Sequence, residues 1–343
     1  MHKRHDYSNG HRTRITLVTP RVIPPFARQD ADLLSQSCEV EIFPVFGPQS
    51  VGSLRESIKK SDVVLIWFLG RHAPWAILLA RLMKIPILSV IGGFEVAWVD
   101  SLSYGIKPRS WKEHVVRWMI AQSRLVLSVS MFSKCEAESR FPRFSGKFRL
   151  VPNAVDTARF NMPANGRRGG VISVGAINQE TIGRKSWHLL ADVAKRLPDV
   201  HFSIIGTAGD SAGRDFVRSL PSNVTWHGYL TTEQLIQELQ EASVYVQPSV
   251  HEAFCVALAE AMSCGCFPVV SNLAALPEVV EGTGTLLRSL SADALVDAIQ
   301  SALNRPESER ATIRDRIVAN YGTEKRARTL EATISEILST KSP

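Results

Sequence analysis

Short, almost uninterrupted apolar runs alternate with helix-length segments along this chain, stop at a passage rich in Pro, Asn and Gly, and then begin again. In the first half the runs are "ITLVTP", "EVEIFPV", "DVVLIWFL", "IPILSVIGG" and "RLVLSVS". Strands that face water on one side alternate apolar and polar residues. Strands covered by helices on both faces read as continuous Val, Ile and Leu. The pattern is therefore a βα repeat with parallel strands. "FRLVPNAVDTARFNMPANGRRGG", residues 148–170, breaks the periodicity. The repeat then restarts with "GVISVGAI" as strand, "SWHLLADVAKRL" as helix, "VHFSIIGTAGD" as strand and loop, and "NVTWHGYL" as strand. "TTEQLIQELQEA" follows as a helix whose threonines can cap its start, then "SVYVQPS" as strand.

The chain has 343 residues, which suits two domains at roughly 150 residues each. The fold class expected is α/β, with two Rossmann-like, doubly wound parallel sheets facing a central cleft. Such sheets bind ligands at the carboxyl ends of their strands, so the cleft is the expected site. The expected organisation is a leader over 1–12, a first domain over 13–152 and a second over 153–322. A C-terminal amphipathic helix over 323–343 would pack back on the first domain.

An apolar fraction of 45% and a charged fraction of 21% are those of a globular protein. No apolar run reaches the roughly 18 residues that a membrane span needs; the nearest, residues 63–69, is followed by Arg71. The opening "MHKRHDYSNGHR" is basic and has no apolar segment, so a disordered leader and a cytoplasmic location are expected. Five cysteines show no framework spacing and are expected to be reduced; Cys264 and Cys266 have no further ligands at zinc-site distance and read as core. The net charge of +7 asks for an anionic partner, but scattered cations without a recognition motif argue against nucleic acid.

"SVHEAFCVALAEAMSCGCFPVV", residues 249–270, reads as a strand end, a turn and a buried helix closed by Gly265. The amides from Ala253 to Val256 would lie at the helix start, where unpaired N–H groups attract phosphate. Glu252 precedes that start and Glu260 lies inside the helix, with about 12 Å between them at 1.5 Å per residue. Carboxylates so far apart need not share a proton; they can grip hydroxyls at two ends of one polar ligand. Charged groups without partners in such apolar surroundings are costly, which argues for a function.

The segment resembles the E-x7-E signature of retaining GT-B glycosyltransferases of family four. Glu252, Glu260, Ala261, Met262, Gly265, Pro268, Val269, Pro277 and Glu278 carry the match, and "VPNAVDTARF", "GRKSW", "SIIGTAGD" and "VTWHGYL" extend it from about Ile15 to Glu281. The resemblance implies that Glu260 holds the ribose of a nucleoside diphosphate sugar and that Glu252 contacts the transferred sugar. It also implies that the amides of Ala253, Phe254, Cys255 and Val256 meet sugar and phosphates beside Gly175. Lys185, helped by Arg184, would neutralise the leaving diphosphate, and both read as lying at a helix start. Gly206, Gly228 and Tyr229 would hold the nucleobase. The acceptor, a carbohydrate or lipid-linked hydroxyl, would meet the first domain near Gly92, Gly93 and Glu95, the last as a cleft-facing group. Neither a cofactor nor a metal is implied.

The chain departs from the family pattern in three places. "TPRVIPPFARQDAD" has no glycine where relatives have a Gly-rich loop, Gly92 stands at a His position, and Ala176 stands at an Arg position. Asp30 and Asp32 look like a metal-binding pair but read as the acidic opening of a helix. In "SWKEHVVRWMIAQ" Trp111, Val115 and Trp118 form an apolar stripe that either packs on the sheet or rests on a bilayer, which would place the protein at the inner face of a membrane. Two further readings stay open. A sugar-nucleotide epimerase or hydrolase would act without acceptor, and a non-catalytic partner of a glycosyltransferase would bind donor without turnover. The oligomeric state is not legible.

Overall fold

The computed structural model describes residues 12–163 and 169–339. The expected leader therefore lies outside the described residues except for Arg12, as does part of the junction passage.

The first domain carries strands β1 (Arg14–Pro20), β2 (Glu39–Val45), β3 (Val63–Trp67), β4 (Ile87–Ile91), a small antiparallel hairpin β5 (Trp98–Val99) and β6 (Tyr104–Gly105), β7 (Leu125–Ser128) and β8 (Phe148–Leu150). Between them run α1 (Pro25–Leu34), α2 (Val51–Lys59), α3 (Ala73–Leu82), α4 (Trp111–Gln122) and α5 (Met131–Arg140). The second domain carries β9 (Gly169–Val174), β10 (Phe202–Ile205), β11 (Val224–Gly228), β12 (Ala242–Gln247), β13 (Phe267–Ser271) and β14 (Thr285–Leu287). Its helices are α6 (Gln179–Arg184), α7 (Trp187–Arg196), α8 (Ser211–Arg218), α9 (Thr232–Glu241), α10 (Val256–Ser263), α11 (Leu276–Val280), α12 (Ala292–Leu303) and α13 (Arg310–Tyr321), and α14 (Thr323–Ser339) ends the described chain.

Both sheets are six-stranded and parallel, as the continuous apolar runs required. The first has the order β2-β1-β3-β4-β7-β8 and the second β11-β10-β9-β12-β13-β14. Each is doubly wound, and β3, β4, β12 and β13 are buried at every residue. Local signals agree with the global fold. Ser110 caps α4, and Thr231 with Gln234 and Ser130 with Ser133 close capping boxes on α9 and α5.

The domains are tied at their rear by α14, which leaves the second domain and packs on α1. Arg326 donates to Asp30 at 2.8 Å and to the carbonyls of Val151 and Pro152; Trp67 Nε1 donates to the same carboxylate at 2.8 Å. Both charged side chains are almost wholly buried. Asp30 therefore lies in the second half of α1 and not at its start, and it is held by a guanidinium. Periodicity could not show this, because the partner lies 296 positions away. Among the described residues no cluster of three His, Cys, Asp or Glu side chains could hold a metal.

Candidate functional site

The second sheet changes direction at β9, which has β10 on one side and β12 on the other. Connections leave the two strands toward opposite faces, and a crevice opens at their carboxyl ends. Gly175, Gly206 and Gly228 cluster there. Gly206 has φ +145°, and a Cβ on it would stand 1.9 Å from the Gly175 carbonyl oxygen. A Cβ on Gly175 would meet Lys185 Cε at 2.7 Å, so glycine leaves the space through which that lysine passes. Tyr229 follows with its ring 79% exposed, which makes it a free platform rather than a packed strand aromatic.

Lys185 Nζ donates to Glu252 Oε1 at 2.8 Å, and Arg184 Nη1 lies 3.3 Å from the same oxygen. The three side chains are only 10 to 13% exposed, so solvent screens their attraction weakly. Burial opposes ionisation of Glu252, but the Lys185 and Arg184 charges outweigh it and hold the carboxyl below its usual range. The cations sit differently from the expectation. Arg184 ends the short helix α6 and Lys185 caps it, so both complement the negative end of a helix. The sequence signal missed was α6 itself, whose Asn178 and Thr181 form a capping box.

Beyond Glu252 the polar chain continues into the sheet. Ser249 Oγ donates to Glu252 Oε1 at 3.1 Å, Gln247 Nε2 donates to Ser249, and Tyr245 OH donates to Gln247 Oε1 at 2.8 Å. Tyr245, Gln247 and Ser249 are fully buried. These residues were not singled out from sequence, although polar groups at alternate positions of an otherwise apolar strand were the available signal.

Helix α10 begins where the sequence placed it. Cys255 is its N-cap with φ +75°, a left-handed conformation that costs a non-glycine residue roughly 1–3 kcal/mol. The amides of Phe254, Cys255, Val256 and Ala257 have no acceptor among the described residues. The start of α10 therefore offers several convergent donors beside Lys185. Burial, followed by the Glu252 charge, pushes the Cys255 thiol up to about 12, which disfavours the reactive thiolate. Glu260 projects from the second turn of α10 with no hydrogen-bond or ionic partner for its carboxyl among the described residues. Burial alone pushes it up to about 8. The two glutamates thus differ: neighbouring cations favour the ionised form of Glu252, whereas burial favours the neutral form of the part-buried Glu260, whose carboxyl has no partner among the described residues.

The first domain contributes otherwise than expected. Glu95 is 4% exposed. Its carboxyl turns inward to accept from the amides of Leu69 at 3.1 Å and Gly92 at 3.2 Å, tying the ends of β3 and β4 together. Burial raises its pKa, and these amides partly counter that. Gly92 makes room for the Phe68 ring, which would lie 2.0 Å from a Cβ there. Gly93, with φ +112°, lies where a Cβ would come within 2.5 Å of Ala253 Cβ, so the two domains touch directly beside Glu252.

More bridges surround that contact. Arg184 lies over the Tyr104 ring at 5.0 Å, and Tyr104 and Phe132 flank the His251 ring at 5.4 and 5.6 Å. His251 Nε2 is 3.3 Å from Glu136. Glu278 accepts from the amides of Met131 and Phe132 at the start of α5. Burial, followed by the opposing Arg184 charge, leaves the Tyr104 hydroxyl at about 12. Sequence reasoning missed Tyr104, Glu136 and His251 because each matters only through a partner in the other domain.

Residues 169–305 match the family described as Glycosyl transferases group 1. Over 221 residues the chain is 28% identical to a subunit of the phosphatidylinositol N-acetylglucosaminyltransferase of Arabidopsis thaliana, covering 62% of this chain and 49% of that protein. Over 247 residues it is 26% identical to glycogen synthase of Mycobacterium tuberculosis strain H37Rv, covering 67% and 58%. The chain thus spans about half the length of these curated relatives. Among solved structures, sucrose-phosphate synthase of Thermosynechococcus elongatus aligns with a TM-score of 0.78 at 17% identity over 96% of this chain and 100% of that one. Anabaena HepE in complex with UDP and glucose aligns with a TM-score of 0.73 at 15% identity, over 95% and 100%. The two sheets thus share the GT-B fold of these structures, and the second domain carries the match to Glycosyl transferases group 1 over residues 169–305.

Proposed function

We propose that this chain, a GT-B protein with a glycosyl transferases group 1 domain over residues 169–305, transfers a sugar from a nucleoside diphosphate sugar to an acceptor hydroxyl with retention at the anomeric carbon, as family-four enzymes do. The observation that carries the reading is the meeting of Lys185, Arg184 and Glu252 with the unpaired amides at the start of α10, at the switch point of the second sheet. Donors pre-aimed at a developing phosphate charge are the largest electrostatic contribution such a site can make. Glu260 lies farther along the same helix, and in this reading its carboxyl meets the ribose. HepE, whose solved complex holds UDP and glucose, has the same fold.

In this reading the diphosphate displaces Glu252 from Lys185, and Glu252 turns to hydroxyls of the transferred sugar. The bond from the anomeric carbon to the phosphate oxygen breaks as the acceptor oxygen forms its own bond on the same face. That phosphate oxygen takes the acceptor proton. Closure of the domains at Gly93 and Ala253 excludes water. Tyr229 and the Gly206 loop hold the base, and the acceptor enters from the side of the first domain.

A thermal-shift screen of nucleoside diphosphates and their sugars identifies the donor, because selective binding raises apparent stability. Product analysis with that donor, with and without acceptor, then separates transfer from hydrolysis or epimerisation. Substitutions Lys185→Ala, Glu252→Ala and Glu260→Ala that all retain full turnover would sink the assignment. Donor binding without turnover for any acceptor would favour a non-catalytic binding role.

A further inference from the structure

We propose that the outer face of α3 and α4, together with the cavity at their carboxyl ends, docks on an anionic lipid bilayer and takes a phosphate headgroup into the cavity. The two helices lie side by side on one face of the first sheet. On α3 the apolar residues Ala73, Ala76, Ile77, Leu79 and Ala80 are buried. Trp75, Leu78 and Leu82, at the spacing of one helical stripe, are 41, 46 and 73% exposed. On α4 Trp111 and Trp118, two turns apart, are 72 and 38% exposed, while Val116, Met119 and Ile120 form the buried face. Five large apolar side chains are thus exposed on two neighbouring helices, and exposed apolar surface concentrated in this way marks a contact site.

Cations surround them. Arg71, Arg81 and Lys84 frame α3, and no acidic residue occurs between Asp62 and Glu95. Lys112, Arg117 and Arg124 are exposed on and after α4. The acid of that helix, Glu113, is buried and engaged by Arg140; Arg117 approaches it at 3.8 Å. The cavity, of about 660 Å³, is lined by Arg81, Lys84, Arg124, Lys147 and Arg149, with Glu336 as its acid. Lys147 donates to the carbonyls of Ala121 and Ser123, and so cancels the negative end of α4 that would otherwise repel an anion. Arg81, Lys84 and Arg124 have no ionic partner among the described residues.

Tryptophan and leucine interleaved with Lys and Arg match a headgroup interface, where aromatic rings sit at the boundary and cations meet phosphate. A nucleic-acid surface would have no use for Leu78 and Leu82. Helices α3 and α4 return against the direction of the strands, so the face runs from the cleft rim at Trp75 and Trp111 to the far end at Leu82 and Arg124. Docking would lay the cleft mouth alongside the bilayer. The inference is independent of the proposed chemistry, because neither donor nor acceptor enters its test.

The test is co-sedimentation of the full chain with vesicles of phosphatidylcholine alone and with added phosphatidylglycerol, at low and high salt. The expected result is sedimentation only with the anionic vesicles and release by salt. Arg81→Glu, Lys84→Glu and Arg124→Glu should each lower partition at least about fivefold, the worth of one basic residue near such a surface. Trp75→Ser with Leu82→Ser should weaken it while leaving the melting temperature unchanged. Equal binding to both vesicle types, no binding to either, or binding indifferent to the charge reversals would overturn the proposal. So would a dimer in solution that the same substitutions dissolve and that ignores vesicles, since the face would then join two copies of this chain.

Discussion

Glu260 offers the most quantitative test of the site, because burial without a partner shifts its carboxyl toward the neutral form. Burial moves its pKa up to about 8, so at pH 7 roughly nine-tenths of unliganded molecules carry it protonated. A ribose presents hydroxyl donors, which favour the carboxylate. Binding should then expel close to one proton per nucleotide at pH 7. The competent fraction is about one-eleventh at pH 7 and one-half at pH 8, so apparent affinity should rise roughly fivefold between them and level off above pH 9. Titration calorimetry at pH 7 in two buffers of different ionisation enthalpy reads the proton directly, using the nucleoside diphosphate that the thermal screen selects. Glu260→Gln is the control: it should bind more weakly, with no buffer dependence, and it subtracts protons from the nucleotide's own phosphates. Identical enthalpies in both buffers, with affinity flat from pH 7 to 9, would refute the reasoning. Stability supplies a second reading. An acid whose folded pKa exceeds the unfolded value of about 4.5 contributes nothing below that pH and destabilises progressively up to about 8. Glu260→Gln should therefore gain on the parent by up to a few kcal/mol between pH 5 and 9, as measured by urea unfolding.

Glu252 should behave oppositely: its lowered pKa stabilises the folded state above the unfolded value and is lost as pH falls through the folded one. Removing a partner with Lys185→Met should cost about 1–3 kcal/mol at pH 7, since Arg184 stays 3.3 Å away; an unchanged urea midpoint would contradict the pairing. Arg326→Ala leaves Asp30 charged and buried, a defect worth roughly 3–5 kcal/mol, and Asp30→Asn combined with it should recover part of the loss. Gly93→Val forces a left-handed residue against Ala253; turnover should fall at least tenfold while nucleotide affinity stays within about twofold, one factor of ten being about 1.4 kcal/mol. A kinetic assay beside a binding isotherm decides it.

Much of the fold was legible because its causes are local. Continuous apolar strands specify parallel sheets covered on both faces; a capping threonine marks α9, helix formers closed by Gly265 mark α10, and apolar residues at helical spacing mark α14. The segment from Glu252 to Gly265 was legible for the same reason: strand end, turn and helix start follow one another along the chain, and the unpaired amides come with them.

The sequence by itself thus determined the element types, the doubling of the domain and the presence of two carboxylates at α10. Tertiary structure decided what each charged group does. Lys185 meets Glu252 across 67 positions and Arg326 meets Asp30 across 296, whereas Glu95 is held by backbone amides only three and 26 positions off. It also set α3 and α4 side by side, each with large apolar residues exposed. Periodicity and propensity act over a few residues, but the partner of a side chain is set by strand order and by which helix packs beside which. The same carboxyl type is therefore shifted down at 252 and up at 260, because burial and neighbouring charge, not residue identity, set the direction.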